Sequence, residues 1–138
     1  MEEFTNLELE EGLSFNVELD GHYFNIDSTE DFGGKNRGPR PKSLMLVALG
    51  GCTGMDVASI MKKMKIPFEG MRVSVMGSLT EEHPKHYYKM HITFRIKGSD
   101  INRDKVEKAV SLSQERYCGV MFSYRKSMEI THEIIIEE

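Results

Sequence analysis

From Ser43 to Met61 the chain carries a single charged residue, Asp56, in nineteen positions. Leu44 to Leu49 are six apolar residues in succession. A surface helix keeps one polar face, so a helix apolar on every side is enclosed by other material. The length approaches that of a membrane span, about 20 residues. Ser43, Gly50, Gly51, Thr53, Gly54, Asp56 and Ser59 interrupt it, which favours a helix buried inside a soluble protein. Pro41 suits a first helical position, where its missing N–H is no loss. Pro67 forces an end. The cations of Lys62-Lys63-Met64-Lys65 complement the negative end of the helix dipole, so the helix is expected to run to about Lys65.

Strands flank this helix. Leu13, Phe15, Val17 and Leu19 alternate with Ser14, Asn16 and Glu18, the period of a half-buried strand. Asp20-Gly21 suits the positive φ angles of a tight hairpin, and His22 to Asp27 returns as its partner. Three glycines and two prolines between Phe32 and Lys42 predict a loop. Met71 to Leu79 and Lys89 to Lys97 alternate again and form a second antiparallel pair. Asn102 or Asp100 can cap a helix through about Tyr117, with Val106, Ala109, Val110, Ser113 and Tyr117 as its buried stripe. A last strand covers Met128 to Ile136, with His132 on its apolar side as a satisfied core group. Strands outnumber helices and are mostly hairpin-paired, so the class is α+β.

The 138 residues predict one domain, 1–138, burying roughly two-thirds of its unfolded surface. The all-round apolar helix asks for more cover than one small chain supplies, which predicts a homodimer. A net charge of −4, from 22 acidic and 18 basic residues, leaves no basic footprint for nucleic acid. The acidic start Met-Glu-Glu lacks the basic, then apolar, pattern of a signal peptide. Two cysteines cannot staple a secreted scaffold. A cytoplasmic protein with no membrane partner is expected.

The chemistry candidates are the cysteines. Cys52 follows Gly50-Gly51 inside the apolar helix. Buried cysteine often acts as a small hydrophobe. Each helical glycine costs about 1 kcal/mol against alanine, so the glycines need a reason. Close approach of another helix is one; access of a small molecule to the sulfur is the other. Cys118 ends the second helix before Gly119. If the sulfurs meet, the pair can cycle between dithiol and disulfide through a sulfenic acid. If they do not, Cys118 is a packing residue. Lys35, Arg37, Arg40 and Lys42 form a cationic run before the helix. They are either a solvated loop or a source of the charge that favours thiolate at Cys52. The histidines show no metal-ligand spacing, and no metal site is expected.

Gly38-Pro39-Arg40-Pro41-Lys42-Ser43-Leu44 and Ala48-Leu49-Gly50-Gly51-Cys52-Thr53-Gly54-Met55-Asp56 resemble the first cysteine motif of the OsmC/Ohr family. Ser113 to Val120 resembles its second cysteine motif. Within the family the chain looks most like the YhfA-like branch. The resemblance implies an OsmC-like fold, with antiparallel sheets wrapped around long central helices in an intertwined homodimer. It implies a thiol peroxidase in which Cys52 attacks an organic hydroperoxide or hydrogen peroxide and Cys118 condenses with the resulting sulfenic acid. A dithiol, such as a lipoylated protein, would reset the pair, with no metal, flavin or other cofactor. Family peroxidases place an arginine in the N-terminal hairpin, held by a glutamate ten residues before the first cysteine. Here the first arginine is Arg37, and Lys42 holds that position before Cys52. Either Arg37, Arg40 or Lys42 substitutes for this clamp, or the chain is a non-peroxidatic ligand-binding or redox-sensing protein.

Overall fold

Asp20 and Gly21 take positive φ angles of 51° and 78° and turn strand β2 (Phe15–Leu19) into β3 (His22–Ile26). The pair is in register with Leu19 opposite His22, the two-residue hairpin the dipeptide predicts. The computed structural model describes residues 1–138, as two units, Met1–Met45 and Leu46–Glu138. In the first unit an additional strand, β1 (Asn6–Leu9), pairs antiparallel with β2 and gives the order β1-β2-β3. It is four residues long and wholly exposed, too short for its alternation to register as a strand.

The glycine- and proline-rich segment after β3 is a loop, organised by one carboxylate. Asp27 is 3% exposed and accepts the backbone N–H groups of Ser28 at 2.7 Å, Lys35 at 3.2 Å and Arg37 at 3.2 Å. Gly38 presses so close to β3 that a Cβ there would overlap the Asn25 carbonyl, which explains a glycine at this point. Burial alone raises the pKa of Asp27, but the three N–H donors and the Arg37 charge outweigh it and hold the carboxyl below its ordinary value. A carboxylate depressed in the native state stabilises fully above its unfolded pKa and loses that contribution as pH falls through the native pKa. Asp27→Asn is therefore expected to make the acid limb of stability against pH shallower, measured as the urea midpoint below about pH 5. An unchanged acid limb would show that the loop does not depend on this charge.

In the second unit β4 (Gly70–Leu79) and β5 (Tyr87–Lys97) form the expected antiparallel hairpin, running from Gly70 opposite Lys97 to Leu79 opposite Tyr87. β6 (Glu129–Glu137) joins the other edge of β5, giving the order β4-β5-β6. This pairing departs from the antiparallel expectation: β6 runs parallel to β5, with Lys89 opposite Glu129. The chain between them forms helices, and a parallel neighbour requires such a crossover. The central strand carries the core. Met90, Ile92, Phe94 and Ile96 are fully buried at alternate positions. His132, expected in the core, is instead exposed, edge-on to Phe94 with ring centroids 6.3 Å apart.

Helix α1 (Leu44–Lys63) starts after a turn at 41–43 rather than at Pro41. By length and composition alone it could cross a membrane. One face belongs to the core, with Leu49, Thr53, Val57 and Met61 fully buried at four-residue spacing. Gly50 and Gly54 let this helix approach a strand rather than another helix. A Cβ at Gly50 would lie 2.9 Å from Val75, and one at Gly54 3.2 Å from Val73. The opposite face, with Val47, Ala48, Gly51 and Met55, is exposed. One chain thus covers one side of the helix, not all of it. Between α1 and β4 a groove of about 440 Å³ is lined by Leu46, Val47, Gly50, Gly51, Val73 and Val75.

Asn102 caps helix α2 (Arg103–Leu112), its side chain accepting the Lys105 N–H at 3.3 Å. Val106, Ala109, Val110 and Ser113 are fully buried, as the stripe predicts, but Tyr117 is 57% exposed. A π-helical turn over Ser113–Tyr117 is the cause. The wider turn changes the angular register of the residues after it. A short third helix, α3 (Gly119–Tyr124), follows at once. Gly119 reads as a helix stop, which hides this element in the sequence.

Candidate active site around Cys52 and Cys118

Cys52 and Asp56 are one turn apart on α1, so their side chains share a face. Cys118 arrives from the far end of the second unit as the N-cap of α3. Ligand atoms of Cys52, Asp56 and Cys118 all lie within 4.8 Å of one another. The fold thus brings the sulfurs of Cys52 and Cys118 to within 4.8 Å of each other. Both cysteines are free thiols, Cys52 partly exposed and Cys118 buried.

The π turn and the cap place Cys118. Its backbone N–H donates to the Ser113 carbonyl at 2.7 Å, and its sulfur accepts the Met121 N–H at 3.3 Å. Burial pushes the Cys118 thiol up to about 11. The Met121 N–H opposes this shift, while Cys52 and the Asp56 charge reinforce it. At neutral pH Cys118 is therefore a protonated thiol.

A buried hydroxyl pair joins α1 to the π-helical turn. Ser113 donates to Asp56 Oδ2 at 3.0 Å, and Thr53 and Ser113 share a hydrogen bond of 3.1 Å. Thr53 and Ser113 are fully buried, so each hydroxyl needs its partner. Asp56, Thr53 and Ser113 were not singled out as site residues from the sequence. The available signal was the four-residue spacing of Cys52 and Asp56 in a stretch with no other charge.

The cations make their own contacts in the first unit. Arg37 pairs with Glu11 at 3.1 Å, as does Lys35 at 2.9 Å. Together they hold the Glu11 carboxyl below its ordinary range. Arg40 donates to the Asn36 side chain and to the Gly38 carbonyl. The Lys42 carbonyl accepts the Met45 N–H.

Two cysteine sulfurs within 4.8 Å of each other, one carried by a glycine-bearing helix, belong to an α+β chain with two three-stranded sheets. The family model described as OsmC-like protein matches residues 33–133, and the chain belongs to that family. It is 32% identical over 123 residues to Protein YhfA of Escherichia coli K12, covering 88% of this chain and 89% of that protein. The structure resembles that of a hypothetical protein from Aquifex aeolicus, with a TM-score of 0.83, 28% identity and coverage of 100% and 99% of the two chains. It also shares the fold of the organic hydroperoxide resistance protein OhrB of Bacillus subtilis, with a TM-score of 0.64, 16% identity and coverage of 97% and 98%.

Proposed function

We propose that this protein is a cysteine-based thiol peroxidase that reduces organic hydroperoxides or hydrogen peroxide. The observation that carries this reading is the approach of the Cys52 and Cys118 sulfurs, the first partly exposed and the second buried. The fold shared with a hydroperoxide resistance protein supports it. The Cys52 thiolate attacks a peroxide oxygen, the O–O bond breaks, and alcohol or water leaves after taking up a proton. Cys52 then carries the hydroxyl as a sulfenic acid. Cys118 loses its proton, attacks that sulfur and expels the hydroxyl as water, forming a disulfide. A dithiol, such as a lipoylated protein in the cytoplasm, restores both thiols by exchange.

The test is stoichiometric. Reduced protein mixed with cumene hydroperoxide is expected to lose two thiols per peroxide consumed. Slow loss of thiols without defined stoichiometry would favour the second reading, a ligand-binding or redox-sensing protein. That reading draws support from Arg37, which pairs with Glu11, while the position ten residues before Cys52 is held by Lys42.

We assign the working unit as a homodimer in which each chain is one domain. The exposed apolar face of α1, with Val47 and Met55, continues into the groove against β4. Apolar surface of this kind on a core helix is ordinarily covered. The mass in solution at micromolar concentration is expected to be that of two chains; a monomer would overturn this assignment.

A further inference from the structure

Two sulfurs and one carboxylate, held within 4.8 Å of one another, are also a ligand set. We propose that reduced Cys52, Cys118 and Asp56 bind a thiophilic divalent cation of the zinc type. The inference goes beyond peroxide chemistry and does not depend on it.

The donor atoms select the ion. Zinc takes cysteine sulfur at about 2.3 Å and carboxylate oxygen at about 2.0–2.2 Å in a tetrahedral shell. Three ligands in such a shell lie roughly 3.5–3.8 Å apart, a spacing compatible with three donor atoms that all lie within 4.8 Å of one another. Two thiolates exclude magnesium and calcium, which require oxygen. The carboxylate disfavours copper(I), which prefers an all-sulfur shell. Three protein ligands leave the fourth position open to solvent.

The surroundings match those of a metal ligand. Ser113 donates to Asp56 Oδ2 and is itself held by Thr53, so the carboxylate is oriented from outside the set. The Met121 N–H already donates to the Cys118 sulfur, a bond that stabilises a thiolate. Cys52 and Asp56 come from one helical face, and Cys118 is fixed by its cap and the Ser113 carbonyl. The three are therefore positioned before any ion arrives, which lowers the cost of binding. On coordination each thiol releases its proton to solvent. A cation and a peroxide then compete for the same two sulfurs.

Cobalt(II) is the probe, because its absorption reports both coordination number and sulfur ligation. Reduced wild-type protein titrated with cobalt(II) is expected to bind one ion per chain, with tetrahedral ligand-field bands and thiolate-to-cobalt charge transfer. Zinc should displace it and slow alkylation of both cysteines. Asp56→Asn should weaken zinc binding by at least about tenfold, and Ser113→Ala by roughly 10–100-fold. Protein carrying the Cys52–Cys118 disulfide should give no charge-transfer band. A wild-type cobalt spectrum without charge transfer would overturn the proposal, and this reading needs no variant to fold. So would unchanged affinity in Asp56→Asn, or equal binding by the oxidised protein. Peroxide consumption enters none of these measurements, so failure of the peroxidase reading leaves the outcome interpretable.

Discussion

Cys52→Ser is expected to reduce peroxide consumption by roughly a thousandfold or more, the scale on which loss of a nucleophile acts. A serine hydroxyl keeps the shape of the thiol but is a far weaker nucleophile, and no sulfenic acid can form on it. Cys118→Ser should behave differently. The first step survives, one peroxide is consumed per chain, and a sulfenic acid accumulates on Cys52, where dimedone traps it. Wild-type protein should show little dimedone adduct, because the Cys118 sulfur stands beside Cys52 and closes the disulfide. The two variants thus separate attack from resolution. If Cys52→Ser consumes peroxide as fast as wild type, the peroxidase reading fails. If Cys118→Ser traps no sulfenic acid while wild type turns over, attack occurs elsewhere.

Phe94→Ala is expected to cost about 3–5 kcal/mol of folding stability. Phe94 is a large, fully buried side chain on the central strand of its sheet, with Ile92 and Ile96 buried beside it. β5 is hydrogen-bonded to β4 on one edge and β6 on the other, so it has little room to move into the void. The loss combines apolar transfer with an unfilled cavity, and Tm should fall by roughly 10 °C or more. A shift within a few degrees, with the denaturant slope unchanged, would mean that the core collapses around the alanine.

Local chemistry was the legible part. Asp20-Gly21 announces its hairpin because few other dipeptides tolerate two positive φ angles. Asn102 and Asp100 both announce a helix because their side chains can take an orphan N–H, and the structure uses Asn102. β5 shows its alternation because both neighbours hold it in one register. What composition cannot report is which side of an apolar helix the same chain covers. Leu49 and Val47 are both aliphatic, yet one is fully buried and the other 66% exposed. The π turn leaves no pattern either, since it inserts a register change into a continuous helical stripe and turns Tyr117 outward. As candidates, the cysteines were legible through their motifs. Asp56 was not, because its neighbour Ser113 is distant in sequence and meets it only through the fold.

The two sulfurs are separated by 66 positions, and β4, β5 and α2 all lie between them. A disulfide across that span is a topological clasp around most of the second unit's sheet. By the chain-entropy relation, a loop of this length restricts the unfolded chain by about 4 kcal/mol. Every oxidation of the pair then changes the folding equilibrium as well as the sulfur chemistry. The disulfide form would be the more heat-resistant one, and reduction would return the molecule to a less stable dithiol form.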